Sequence, residues 1–245
     1  MTDHARSFGT VAENYDRYRP TYAPEAVDWA LGERPLRVVD LGAGTGILSR
    51  VLRRLGHEVV AVEPDGAMRA LLTRLSEGVT ALAGTAENIP LPDGSVDAVV
   101  AGQAYHWFEA DRAHPEIARV LRPAGVLAAM WNDADPGTQW TVRLDEIIDG
   151  IRTICHERHS HFGELFGPVT TAEFHHEMWV TPEEVVGMVS TRSPYLMASA
   201  ADRAAMLDAV RDLLTGPELA GRGSFPIPYL TRVQRARRKE VAERS

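Results

Sequence analysis

Between residues 36 and 132, short apolar runs alternate with amphipathic stretches. LRVVDL (36–41) predicts a buried strand. ILSRVLRRLG (47–56) has apolar residues at 47, 48, 51, 52 and 55, the spacing of one helix face. HEVVAVE (57–63) predicts a second strand, 66–75 a second helix and VTALAG (79–84) a third strand. Asp93-Gly94 is a turn signal before VDAVVAG (96–102), the fourth strand. EIARVLRP (116–123) predicts a helix ended by Pro123 and Gly125, and VLAAMWN (126–132) a fifth strand.

Strands and helices alternating at this spacing imply parallel strands joined by right-handed crossovers, with helices on both faces. Parallel strands covered on both faces read as near-continuous apolar runs, as VDAVVAG and VLAAMW do. After 135 the alternation stops. Residues 139–162 read as a charged helix and EFHHEMWV (173–180) as a strand. Pro182 followed by Glu183 and Glu184 signals a helix start. That helix runs to about 190, and another covers 201–214. FPIPYLTRVQRARR (225–238) alternates and is expected as an antiparallel strand at the sheet edge. The expected fold is α/β: a doubly wound, Rossmann-like, seven-stranded, mostly parallel sheet with an antiparallel edge strand and a helical insertion before the sixth strand. One domain spans 1–245: a leader and helix (1–35), a central core (36–135), an insertion with helices (136–225), and a last strand and tail (226–245).

Bulk composition narrows the partners. The 245 residues are 44% hydrophobic and 24% charged, which is ordinary globular composition. The net charge of −8 disfavours phosphate backbones, so no nucleic-acid partner is expected. The basic run Arg232, Arg235, Arg237, Arg238 and Lys239 reads as a solvated strand end and tail. The single cysteine, Cys155, cannot form a disulfide within the chain, which fits a reducing cytoplasm. The N-terminus lacks a signal-peptide core, and no apolar stretch has membrane-spanning length.

Candidate chemistry begins at Asp40-Leu41-Gly42-Ala43-Gly44-Thr45-Gly46, between the first strand and first helix. Ligands of open parallel sheets bind beyond the carboxyl ends of the strands. Glycines there permit positive φ and close backbone approach. The dinucleotide pattern G-x-G-x-x-G is incomplete, because Ile47 stands where its third glycine belongs. Asp40 can accept from an ammonium, whereas a pyrophosphate gains nothing from it. Glu63 ends the second strand and can accept two hydrogen bonds from ribose hydroxyls; a helix-capping or solvated acid is the plainer alternative.

VVDLGAGTG, AVEPD, AGTAENIPLPDGSVDAVVAGQAYHWF and EIARVLRPAGVLAAMWN, in that order, resemble the class I S-adenosylmethionine-dependent methyltransferases. The match covers about residues 8–135 and is most similar to the small-molecule branch that includes trans-aconitate and ubiquinone-pathway enzymes. The resemblance implies S-adenosylmethionine as cofactor. It places Asp40, Gly42, Ala43 and Gly44 at the cofactor, with Asp40 and the two glycines at its methionine end. Glu63 would hold the ribose and Pro64 pack near the adenine, with Thr85, Ala86 and Glu87 along the adenine edge. Many relatives carry aspartate where Thr85 stands, so the Ala86 backbone or the Glu87 side chain is the alternative reader of the base. Gln103 would lie near the methionine backbone and sulfonium.

The leader FGTVAENYDRYRPTY (8–22) carries Phe8, Tyr15, Tyr18 and Tyr22 beside Arg17 and Arg19. In similar enzymes such a leader folds over the cofactor. Tyrosine faces attract a sulfonium, which places Tyr15 at the cofactor, and Arg19, fixed by Pro20, is the choice to pair with the cofactor's methionine carboxylate; a packed helix with solvated arginines is the alternative. His106 follows the fourth strand. It reads either as a packed residue or as a catalytic group that orients an acceptor oxygen or takes its proton. Trp107 would wall the adenine or acceptor pocket. His156, His159, His161, His175 and His176 match no zinc spacing and read as solvated or acceptor-pocket residues, and no metal is expected. Trp131, Trp140 and Trp179 read as core or pocket wall. The expected activity is methyl transfer to a small molecule. A non-catalytic binding module of the same fold and a nicotinamide oxidoreductase are the alternatives. The acceptor's pocket would come from 137–225, and oligomeric state is not legible.

Overall fold

The computed structural model describes residues 12–149 and 161–240. Phe8, Cys155, His156, His159 and positions 150–160 of the helix expected over 139–162 lie outside the described residues, and 161–162 are not helical. Two helices, α1 (Ala12–Tyr18) and α2 (Pro24–Leu31), precede the sheet. Then come β1 (Arg37–Leu41), α3 (Ile47–Arg54), β2 (Glu58–Val62), α4 (Gly66–Leu75), β3 (Thr80–Leu82) and β4 (Val96–Gly102). A single 3₁₀ turn (Tyr105–Trp107) leads to α5 (Ala110–Val120) and β5 (Leu121–Ala134). The remainder is α6 (Gln139–Asp149), β6 (Thr170–Val180), α7 (Pro182–Val189), α8 (Ser193–Met197), α9 (Ala200–Leu214) and β7 (Phe225–Arg237).

The seven strands form one sheet in the order β3-β2-β1-β4-β5-β7-β6. Strand order reverses between β1 and β4, which places the switch point beside the glycine loop. The central strands alternate between two cores. Val39, Val60, Val99 and Ala101 join α5 on one face. Val38, Val59, Ala98 and Val100 join α2 and α3 on the other. Successive strand side chains point to opposite faces, so both faces must be apolar. A third core gathers α6, α7 and α9 around the first half of β7.

Three expectations shift in position. The helix expected at 116–123 begins at Ala110, and Pro115 lies inside it instead of near its start. The chain turns extended at Leu121, and β5 pairs with β4 through a register shift between Val96 and Ala98. The final strand is antiparallel, as expected, but lies between β5 and β6, one place in from the edge. Burial accounts for this. Phe225, Ile227, Tyr229, Leu230, Val233 and Ala236 of β7 are buried. Every second residue of β6 from Glu173 to Trp179 is exposed, which suits an edge. Pro226 and Pro228 pair with β6 beyond the end of β5, where a missing donor is tolerated.

The C-terminal basic run is engaged within the chain. Arg232 pairs with Asp133 and Glu173 at 3.2 and 3.1 Å, and Arg235 lies over Trp29 at 4.1 Å. Arg237, Arg238 and Lys239 donate to the carbonyls of Ala124, Leu121 and Glu164. Trp131 and Trp140 are core residues, whereas Trp179 is 66% exposed on the edge strand.

Candidate functional site

The site begins where β1 hands over to α3. The amides of Gly42 and Ala43 donate to the carbonyl of Val62 at 2.9 and 3.2 Å, tying the loop to the end of β2. Gly42 has φ +71°, and a Cβ there would lie 2.7 Å from that of Ala104. Gly44 has φ +57°, but its nearest neighbour would be the Met68 sulfur at 3.8 Å. The first glycine is required by protein packing. The second keeps backbone open to a ligand.

Glu63 clasps this loop from β2. Its Oε2 accepts the Gly44 amide and its Oε1 the Asp65 amide, both at 2.8 Å. Burial raises the Glu63 pKa, and the Asp65 and Gly44 hydrogen bonds oppose the rise. Asp65 caps α4 by accepting from Ala67 and Met68, and Arg69 donates to the carbonyls of Glu63 and Pro64. Pro64 is therefore held half-buried at the mouth of the loop.

Asp40 is 1% exposed. Its Oδ2 accepts the Ser49 hydroxyl at 2.6 Å, while its buried Oδ1 has no partner. Burial pushes its pKa up to about 7; the Ser49 hydrogen bond opposes this and the Glu63 charge adds to it. Ser49 went unnoticed in the sequence because it looks like an ordinary helix residue.

Beyond β3, Thr85 and Asn88 exchange backbone hydrogen bonds at 3.2 Å around buried Ala86. The Glu87 carboxylate is partly buried, which works against its charge. The Glu109 amide and the Thr85 hydroxyl nevertheless hold it below the usual carboxylate range. Both Thr85 and Glu87 thus have protein partners. Gln103 adopts φ +52°, rare outside glycine, and its side chain donates to the Asn132 carbonyl at 2.8 Å. His106 and Trp107 follow on the 3₁₀ turn, their rings 4.9 Å apart. Both are exposed, so Trp107 is not a buried pocket wall here.

The leader packs against this edge. Asp16 pairs with Arg50 at 2.6 Å, and Arg50 also donates to the Thr45 carbonyl of the glycine loop. The Arg19 guanidinium lies 4.8 Å over the Tyr15 ring and donates to the Thr191 carbonyl at 3.3 Å. It therefore covers a face of Tyr15 that was expected to meet a sulfonium. The Thr21 carbonyl receives the Asn132 amide and contacts His176 Nε2, at 2.9 and 3.0 Å. Tyr22 is buried with its hydroxyl hard against Gly102, and burial holds that phenol well above its usual pKa. Tyr22 was expected only as one of the leader tyrosines and His176 only as a solvated or acceptor-pocket residue; these contacts, and those of Asn132, follow no motif.

The glycine loop at the switch point, the buried acid beneath it and the second acid clasping it all fall within one segment that matches a known family. Residues 39–129 match the family described as a methyltransferase domain. An uncharacterised methyltransferase of Mycobacterium tuberculosis is 43% identical over 238 residues, covering 96% of both chains. The chain belongs to the S-adenosylmethionine-dependent methyltransferases. A malonyl-[acyl-carrier protein] O-methyltransferase of Pectobacterium atrosepticum is 34% identical to this methyltransferase over 128 residues, 51% of each chain. A solved structure from Anaeromyxobacter dehalogenans, described as a candidate type II methyltransferase, shares 26% identity and a TM-score of 0.66. The overlap covers 91% of this chain and 98% of that one. The methyltransferase fits its cofactor in two observable ways. Asp40 Oδ1 is an acceptor suited to an ammonium, and the Gly44 backbone leaves room for close approach. Among the described residues, no helix is long and apolar enough to cross a membrane.

Proposed function

We propose that this methyltransferase acts on a small organic molecule in the cytoplasm, with the cofactor at the glycine loop and the acceptor beside the leader and third core. The observation that carries the reading is the unpartnered Oδ1 of buried Asp40 beneath a loop whose amides are otherwise tied down. A buried carboxylate oxygen without a donor is costly unless a ligand supplies one. Asp40 binds the cofactor's ammonium. Gly42, Ala43 and Gly44 shape the cradle, and Glu63 accepts from the ribose with the lone pairs its two backbone donors leave over. Pro64 and Ala86 border the adenine. The backbone of Ala86 reads the base, because Thr85 and Glu87 are engaged with each other. Gln103 closes the methionine side, and Tyr15 orients Arg19.

The cofactor supplies an activated methyl group on a sulfonium, so in-line transfer depends mainly on alignment. The chain's task is to exclude water and hold the acceptor. Leader residues 12–22, fastened through Asp16–Arg50 and Thr21, suit that role. His106 is assigned to the acceptor side, where it orients the receiving atom or takes its proton. The resemblance to trans-aconitate and ubiquinone-pathway enzymes supports a small acceptor; the relative named for malonyl-[acyl-carrier protein] acts on a small acyl group borne by a carrier protein. The residues form one catalytic domain, with 136–225 supplying the acceptor side.

Calorimetric titration with S-adenosylhomocysteine and with NAD tests the cofactor. Labelled methyl transfer to a panel of organic acids and phenols tests the activity. Binding of S-adenosylhomocysteine without turnover on any panel member would favour a non-catalytic module.

A further inference from the structure

Two arginines from distant parts of the chain meet on the acceptor side. Arg19 follows α1, and Arg192 follows α7. Arg19 reaches the carbonyl of Thr191, the residue before Arg192, at 3.3 Å. The Nε atoms of both guanidiniums are shut away from solvent and make no hydrogen bond. Among the described residues, neither arginine has a carboxylate within ion-pair distance. The surroundings are polar but neutral donors: Tyr15 beneath Arg19, and buried Tyr229, whose hydroxyl meets the Met188 sulfur at 3.4 Å. Asp145 of α6 is the carboxylate whose charge reaches Tyr229.

This arrangement is poor for a fold by itself. Burial lowers the Arg19 pKa, and the Arg192 charge lowers it further. Surface arginines avoid such a conflict by pairing or by facing water; this pair does neither at Nε. Both side chains are partly exposed, but their Nε atoms are not, and a desolvated cationic group is normally matched by an anion. The planar guanidinium fork suits a carboxylate, which can accept two parallel N–H bonds. The cofactor brings one carboxylate, but its ammonium and sulfonium leave it net positive. It therefore cannot neutralise two arginines, and Asp40 offsets only one positive charge.

We propose that Arg19 and Arg192 together bind an oxyanion, a carboxylate, carried by the methyl acceptor. This rests on the methyltransferase reading of the glycine-loop site. It makes the acceptor an organic acid and Arg192 the residue that selects for it. A phosphate ester presents the same oxyanion chemistry, so the test separates the two sources.

The test is calorimetry on wild type, Arg192→Gln, Arg192→Lys and Arg19→Gln. Each is titrated first with S-adenosylhomocysteine. Each is then titrated, with and without that ligand, using succinate, glutarate, citrate, benzoate, their methyl esters and phenyl phosphate. An acid should bind wild type and lose affinity about tenfold or more in Arg192→Gln, with partial recovery in Arg192→Lys. Its ester should bind weakly to all four. S-adenosylhomocysteine affinity should stay within about twofold in Arg192→Gln. If Arg192→Gln and Arg19→Gln lose S-adenosylhomocysteine equally, the pair serves the cofactor's own carboxylate and the proposal is overturned. It is also overturned if every panel anion binds wild type and Arg192→Gln alike. Phenyl phosphate binding in place of the acids transfers the site from carboxylates to phosphate esters. Failure of wild type to bind S-adenosylhomocysteine would sink the cofactor reading separately, because the anion titrations without it still report on the arginines. Unchanged thermal unfolding of Arg192→Gln shows that the variant is folded; Arg192→Lys serves in its place if it is not.

Discussion

The Glu63 carboxylate accepts the amide of Gly44 at 2.8 Å, so the acid that ends β2 holds the loop that follows β1. One side chain therefore shapes the cradle and is the proposed acceptor for the ribose. Loss of the carboxylate should cost both. Glu63→Ala is expected to weaken S-adenosylhomocysteine binding by more than about tenfold, since each hydrogen bond to a charged acceptor is worth about 1.5–3 kcal/mol. Glu63→Gln keeps one acceptor oxygen and should lose less. Calorimetry on folded variants decides; equal affinity for wild type and Glu63→Ala would remove Glu63 from the site.

Gly42 and Gly44 both have positive φ, yet they should respond differently to alanine. At 42 the new methyl would meet the Cβ of buried Ala104 at 2.7 Å. Strain and overlap then add, and Gly42→Ala should lower stability by about 2–4 kcal/mol. At 44 the nearest protein atom is the flexible Met68 sulfur at 3.8 Å. Gly44→Ala should cost only about 1–2 kcal/mol, from backbone strain, but should still impair S-adenosylhomocysteine binding. Denaturant unfolding of the two variants, paired with titration, gives the comparison. Similar stability losses would show that the loop relaxes around either methyl.

How far the sequence carried this depends on whether a group acts locally. The Asp40–Gly46 loop and Glu63 were legible because the strand–turn–helix that builds them is contiguous. Arg19 was legible as a candidate because Pro20 restricts the backbone next to it. Its neighbour Arg192 was not, since the two meet across 172 residues between Arg19 and Thr191. Asn132, Thr231 and His176 likewise come from three strands: Thr231 donates to the Asn132 side chain at 2.6 Å and contacts His176 at 3.4 Å. No spacing rule anticipates such a join. The place of β7 was missed for a related reason. Alternation in one strand says which residues are buried, but not which neighbour covers its second edge.

Asp40 predicts a pH dependence in both stability and binding. Its folded pKa of about 7 lies above the ordinary 3.8. The folded chain therefore holds this proton more tightly than the unfolded chain does. Stability without ligand should fall as pH rises between those two values, then level off. Asp40→Asn removes that contribution, so its stability relative to wild type should grow across the same window. Binding runs the opposite way, because an ammonium needs the ionised carboxylate. S-adenosylhomocysteine affinity should drop below about pH 7, by up to about tenfold per pH unit, and Asp40→Asn should bind weakly at every pH. Titration and thermal unfolding from pH 5 to 9 read both effects. A wild-type binding curve that is flat across neutrality would show that Asp40 does not meet the ammonium.

His106 sits on the exposed 3₁₀ turn just beyond β4, next to Trp107. That turn follows Gln103 and Ala104, and Ala104 packs against the glycine loop. His106 thus follows the strand end that carries the proposed cofactor site, and its exposed ring needs an acceptor or a closing segment to shield it from water. A residue in that position should affect transfer and leave cofactor binding alone. His106→Ala is expected to lower kcat/KM for the acceptor by about 10²-fold, the lower end for a general acid–base group. S-adenosylhomocysteine affinity should stay within about twofold. The pH profile separates two roles. A proton-accepting imidazole gives wild type a pH-dependent limb that the variant lacks. An imidazole that only orients leaves the limb absent in both and raises KM more than it lowers kcat. Asparagine at 106 should then recover part of the loss, since it keeps a hydrogen-bonding group. Wild-type kcat and KM in His106→Ala would make His106 a surface neighbour of Trp107 and nothing more.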